Sequence, residues 1–122
     1  MRRAAVLGKV KLEPGVIFET INACPPLMRQ KKGNTFIGKQ VDWLLTFRNG
    51  SETQGQAHLM FDIAPYQVRI VTGTVSLADY PWLKSLDAGE AVRVQGRIQS
   101  IDPMSIELKV LKLRLSEVAH AH

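Results

Sequence analysis

From Phe36 onward the apolar residues of this chain recur at every second position, and that period constrains the fold more than any other feature. Successive side chains of a strand point to opposite faces, so a period of two marks strands with one face buried. In "KQVDWLLTFR", Val41, Trp43, Leu45 and Phe47 alternate with Gln40, Asp42, Thr46 and Arg48, broken only by Leu44. In "QAHLMFDI", Ala57, Leu59, Phe61 and Ile63 alternate with Gln56, His58, Met60 and Asp62. "QVRIVTGTVSL" is a long β-branched strand in which Gly73 reads as a bulge or bend. "AVRVQGRIQSI" sets Val92, Val94, Gly96 and Ile98 against Arg93, Gln95, Arg97 and Gln99. "IELKVLKLRL" changes phase at residues 110–111, which implies a bulge of the kind a small closed barrel needs at a corner. "NGSETQG" reads as a turn-rich loop, and Pro65-Tyr66 and "DPMS" as turns.

Two stretches depart from that period. In "PGVIFETINA", Val16, Ile17, Phe18 and Ile21 suit a short amphipathic helix that starts at Pro14 or Gly15. "CPP" must stop it, because proline removes a donor and restricts the residue before it. Pro26 then opens a second helical turn, "PLMRQKK", ended by Gly33-Asn34. "ADYPWLKSLDAGE" separates the third and fourth strands as a short helix. Pro81 sits in its first turn, Trp82, Leu83 and Leu86 on its apolar side, Asp79 at its cap and Gly89 at its close. The chain divides into a basic arm (1–13, with a short strand at "VLGKVKL"), a helical extension (14–33), a barrel (34–116) and a tail (117–122).

The order strand, strand, strand, short helix, strand, strand is the arrangement of the OB-fold, a five-stranded Greek-key barrel. The wording resembles the tRNA-anticodon-binding-like branch of the nucleic-acid-binding OB-fold superfamily. "GKQVDWLLTF" is similar to its first strand, and "LKSLDAGEAVRVQGRI" to its passage from helix into the fourth strand. The resemblance covers residues 36–116. It implies a mainly β binding module that takes ligands across the second and third strands, between the loops joining strands one to two and four to five. Carried onto this chain, the face is His58, Met60, Gln67 and Arg69. The flanking loops supply Arg48, Asn49, Ser51, Gln54, Gln99, Ser100 and Met104.

Charge sharpens that expectation. Of 16 Lys/Arg and 11 Asp/Glu, residues 1–39 hold eight cations and two acids, and residues 40–122 eight cations and nine acids. The basic excess therefore lies in the N-terminal third, where "MRRAAVLGKVK" and "RQKKGNTFIGK" form either a phosphate-holding patch or a solubilising arm. Single-stranded nucleic acid needs such cations together with exposed aromatic rings for stacking. Only Tyr66 is well placed as an exposed ring, while Trp43, Phe47 and Phe61 share the phase of the aliphatic core. The outward cations on the fourth and fifth strands read as a solvated face. The candidate nucleic-acid-binding residues are Arg2, Arg3, Lys31, Lys32, Lys39, Arg48, His58, Tyr66 and Arg69.

Catalytic signals are poor. There is no G-x-S-x-G elbow, glycine-rich phosphate loop or paired-carboxylate motif. His120 and His122 form only an H-x-H pair, too little for a dedicated metal site, and no cofactor is implied. Cys24, the single cysteine, excludes an internal disulfide and reads as a packing thiol. The N-terminal apolar run ends at Lys9, short for a secretory signal, and no run approaches the roughly 20 residues of a membrane helix. The expectation is a cytoplasmic, non-enzymatic module that binds single-stranded DNA or RNA. The alternative is a protein-interaction or scaffold module of a larger assembly; oligosaccharide binding ranks third. The leading helix covers an open end of its own barrel or docks on a partner, and a small barrel's need for buried area favours the former.

Overall fold

A computed structural model describes residues 12–63, 66–102 and 104–115, with the side chains of residues 66–68 excepted. The basic arm up to residue 11 with Arg2 and Arg3, the tail from residue 116 with its histidine pair, and the turn at residues 64–65 lie outside the described residues. Helix α1 spans Pro14–Asn22, and a 3₁₀ turn at Pro26–Met28 runs into α2, Arg29–Asn34. The strands are β1 Gln40–Thr53, β2 Gln56–Ile63, β3 Tyr66–Ser76, β4 Ala91–Ile101 and β5 Ser105–Leu115. They close a barrel in the order β1-β2-β3-β5-β4, with β1 paired to β4 and β3 parallel to β5. This is the five-stranded Greek-key barrel that the resemblance implies.

The alternating residues become the core as their period predicts. Val41, Trp43, Leu45, Leu59, Phe61, Val71, Val92, Val94, Ile98, Ile106 and Leu108 are all buried, and no polar or charged residue is buried with them among the described residues. The predicted bulge in the last strand is present: Gln95 pairs with Lys112 and Gly96 with Val110, so Leu111 is the extra residue.

Four local expectations are corrected. The segment "NGSETQG" is not a loop, because β1 continues to Thr53 and pairs with β2 down to Thr53–Gln56. Only Gln54 and Gly55 turn the chain, with φ of 52° and 80°, the double positive φ that suits a two-residue hairpin turn. Arg48, Asn49 and Ser51 are therefore strand residues, as are Gln99 and Ser100 in β4 and Tyr66 in β3. Gly73 is not a bulge: register runs unbroken through Leu59–Gly73 and Gly73–Leu108. A Cβ there would lie 2.6 Å from Val110 Cγ2, so the glycine serves close strand packing. The expected short helix between β3 and β4 is present, as two 3₁₀ helices, Leu77–Asp79 and Pro81–Ser85, with Pro81 in the first turn of the second and Leu83 buried, but Asp79 makes no side-chain cap.

Helix α1 closes one end of the barrel. Pro14, Ile17, Phe18 and Ile21 fall on one face at i, i+3, i+4 and i+7, and all four are buried. Ile17, Phe18 and Ile21 belong to the same apolar cluster as the strands. Arg69 of β3 lies with its guanidinium 5.4 Å from the centre of the Phe18 ring, within cation–π range. The helix stops where "CPP" requires, and Arg29 donates to the freed carbonyls of Asn22 and Cys24 at 3.2 and 3.0 Å. The indole N–H of Trp43 donates to the Leu12 carbonyl, so the chain just ahead of the helix is tied to the first half of β1. Phe18→Ala should cost about 3–5 kcal/mol, as deletion of a buried ring does. Urea unfolding followed by tryptophan emission measures it, and an unchanged midpoint would show that α1 is not docked in solution.

Candidate functional site

In a barrel, each ladder row sets outward residues of successive strands side by side. One row runs Ser51, His58, Thr74, Lys109, Arg97 and Gln40, leaving β1, crossing β2, β3, β5 and β4, and returning to β1. The next runs Asn49, Met60, Thr72, Glu107 and Ser100. These rows pass over two different surfaces.

The first surface is the outer face of β2, β3 and the second half of β1. Asn49, Ser51, His58, Met60 and Thr74 are exposed there, and none carries a formal charge with the histidine neutral. His58 Nδ1 is 3.1 Å from Thr74 Oγ1. Charge enters at Arg48, which the bulge between Phe47 and Asn49 leaves without a ladder partner; its Nε lies 3.4 Å from Asp62. Against the inward side of the same β1–β2 hairpin, a groove of about 480 Å³ separates residues 47–52 from Lys84, Leu86, Asp87 and Ala88 of the β3–β4 link. The buried Ala57, Leu59 and Leu83 lie beneath it, and Arg48, Glu52, Lys84 and Asp87 are exposed along it. Phe47 lines the groove too. It is half-buried and meets Phe61 edge-on at 6.1 Å, so it belongs to the core on one side only.

The second surface is the outer face of β4 and β5. Arg93 stands opposite Arg114, Gln95 opposite Lys112 and Arg97 opposite Lys109. Asp42 of β1 accepts from Arg93 Nη1 at 3.1 Å and from Gln95 Nε2 at 3.3 Å. The Arg93 hydrogen bond holds the Asp42 carboxyl below its ordinary range; partial desolvation opposes this and Gln95 assists it.

The residues expected to bind do not gather at one place. Arg48 and His58 belong to the first surface. Arg69 is turned to the Phe18 ring of α1. Lys31 and Lys32 occupy the last turn of α2, where positive charge complements the helix C-terminus. Lys39 precedes β1, and its carbonyl accepts from Ile98 of β4. Tyr66 opens β3, and its side chain is outside the described residues. Sequence reasoning missed the half-exposed Phe47 and the groove. It also missed the pairing of cations across β4 and β5, whose signal was the outward period of Arg93 and Arg97 and of Lys112 and Arg114. Among the described residues, no three of His, Cys, Asp and Glu converge to hold a metal ion.

No family model matches the chain, and no curated protein matches it. Among solved structures it is similar to asparaginyl-tRNA synthetase from Pyrococcus horikoshii, with TM-score 0.55 and 18% identity, over 66% of this chain and 20% of that one. Aspartyl-tRNA synthetase from Entamoeba histolytica is similar with TM-score 0.54 and 8% identity, over 66% of this chain and 19% of that one. A lipoprotein from Klebsiella pneumoniae subsp. pneumoniae, named for nucleic-acid binding, is similar with TM-score 0.55 and 15% identity, over 89% of this chain and 97% of that one. The chain thus spans about a fifth of the length of the synthetases it matches. At these identities the likeness establishes the OB-fold.

The Asp42 pair has a testable pH signature. A carboxyl whose folded pKa is depressed adds stability that is present above its unfolded value and lost as pH falls through the folded value. Arg93→Gln should therefore raise the Asp42 titration midpoint, read by NMR of its carboxyl carbon. An unmoved midpoint would show that the pair does not form in solution.

Proposed function

We propose that the chain is a non-enzymatic module that binds single-stranded nucleic acid, DNA or RNA, across the outer face of β1, β2 and β3. One observation carries the reading: that face is not covered by any of the described residues and is rich in hydrogen-bonding side chains, and the groove next to it has an apolar bed with Arg48 and Lys84 among Glu52 and Asp87 along it. Unpaired bases present an apolar ring face and hydrogen-bonding edges, and their phosphates want cations. Phe47 offers its ring to a base, Arg48 and Lys84 face the backbone, and His58 with Thr74 reads base edges or sugar hydroxyls. The tRNA synthetases and the lipoprotein support the reading by their names, and the basic N-terminal arm by its charge. We place such a module in the cytoplasm.

A second reading, protein interaction, is favoured by Leu27, which is 95% exposed beside the exposed Met28 at the start of the α1–α2 corner. Titration of labelled single-stranded DNA and RNA at two salt concentrations separates the two. Binding that weakens steeply with salt is expected. Phe47→Leu should cost roughly 1–3 kcal/mol of affinity, the worth of one stacked base, and Lys84→Gln should flatten the salt dependence. Absence of binding at low salt by the full chain would leave the interaction reading.

A further inference from the structure

The outer face of β4 and β5 carries Arg93, Arg97, Lys109, Lys112 and Arg114, all at least partly exposed. Two acids share the face, Asp42, which pairs with Arg93 and also feels the charge of Arg114, and Glu107, which accepts from Ser100; the five cations outnumber them. Among the described residues, Arg97, Lys109, Lys112 and Arg114 form no ion pair. Two pairs, Arg93 with Arg114 and Arg97 with Lys109, set like charges directly opposite each other. Such pairs destabilise a ladder, and a surface built only for solubility intersperses both signs. Counted on β4 the three rows lie two residues apart, about 6.5–7 Å, a spacing close to that of successive phosphates on an extended strand, with Gln95 in the middle row and the Leu111 bulge between Lys109 and Lys112. Leu111, pushed out by the bulge and 45% exposed, puts apolar surface next to Lys112 for a sugar or base to cover.

This face is continuous with the first surface, because His58 and Thr74 share a ladder row with Lys109 and Arg97. We propose that β4 and β5 form a second contact surface, a phosphate track. A nucleic-acid strand longer than the β1–β2–β3 face passes over Thr74 onto Lys109 and Arg97 and continues along Lys112 and Arg114. The proposal rests on the nucleic-acid reading above and extends it to a surface outside the face expected of the fold. A run of cations that outnumbers its acids along paired strands matches a polymer with one negative charge per repeat better than a folded acidic protein, whose charges are irregularly placed.

The test compares the full chain with a quadruple variant, Arg97→Gln, Lys109→Gln, Lys112→Gln and Arg114→Gln. Two oligothymidylates are used, one of about 8 and one of about 30 nucleotides, the shorter lying within one OB-fold site. Each lost phosphate contact should reduce the slope of log affinity against log salt by about 0.7 on a single strand, so the long strand should lose about 3 in slope. The short strand should keep its affinity. The thermal midpoint of the variant should stay level or rise, since like-charge pairs are removed, which separates lost contact from lost folding. An unchanged slope for the long strand, with the wild-type chain binding, overturns the track and leaves the β1–β2–β3 reading standing. A wild-type chain that binds neither strand at low salt overturns both. Polyglutamate of matched charge that binds the wild-type chain more tightly than the long strand, and the variant not at all, overturns the assignment to nucleic acid.

Discussion

Strand β1 pairs with β4 through residues 40–46 and with β2 through residues 46–53, so one segment closes the barrel on both sides. A strand that serves two neighbours has to bend between them, and the bulge at Arg48 lies where the pairing to β2 takes over. Without that bend β2 and β4 would each keep an open edge of unpaired backbone groups. The same bend sends Val41, Trp43 and Leu45 into the interior and leaves Phe47 half outside, beside the groove. It also divides the outer wall into a face of uncharged polar side chains and a face of cations.

The interior so enclosed contains apolar side chains alone among the described residues. A domain of this size buries a modest fraction of its surface, so extra cover matters. Helix α1 supplies it at one end and the 3₁₀ link, through Leu83, adds to the core elsewhere. Among the described residues Trp43 is the one fully buried ring with a donor, and a buried indole N–H needs a partner. The Leu12 carbonyl meets that need and thereby joins the chain ahead of the helix to the barrel.

Much of this was legible in the sequence because burial on one face imposes a period. All five strands, the helix at Pro14 and the bulge at residues 110–111 followed from it. The extension of β1 past Phe47 was not legible: residues 48–53 are exposed on both faces, so no burial imposes alternation, and polar strand and polar loop look alike. Gly73 misled for a different reason. A glycine in a strand signals either a bulge or a close neighbour, and the neighbour here, Val110, is 37 residues away on another strand. The site was less legible than the core. Its outward cations could be named one by one, but which of them oppose each other depends on the register of β4 and β5, shifted by two bulges. The half-exposure of Phe47 depends likewise on a groove wall contributed by Lys84, Leu86, Asp87 and Ala88.

The row that links His58, Thr74, Lys109 and Arg97 runs around the barrel rather than along it. A polymer that follows such a path must curve with a wall only a few strands wide. Double-stranded DNA has a persistence length of about 50 nm and resists bending at that scale, whereas a single strand bends freely. If the proposed track is used, the convex wall favours a flexible strand over a stiff duplex before any side chain reads a base, so the closed shape of the barrel would itself become a criterion of recognition.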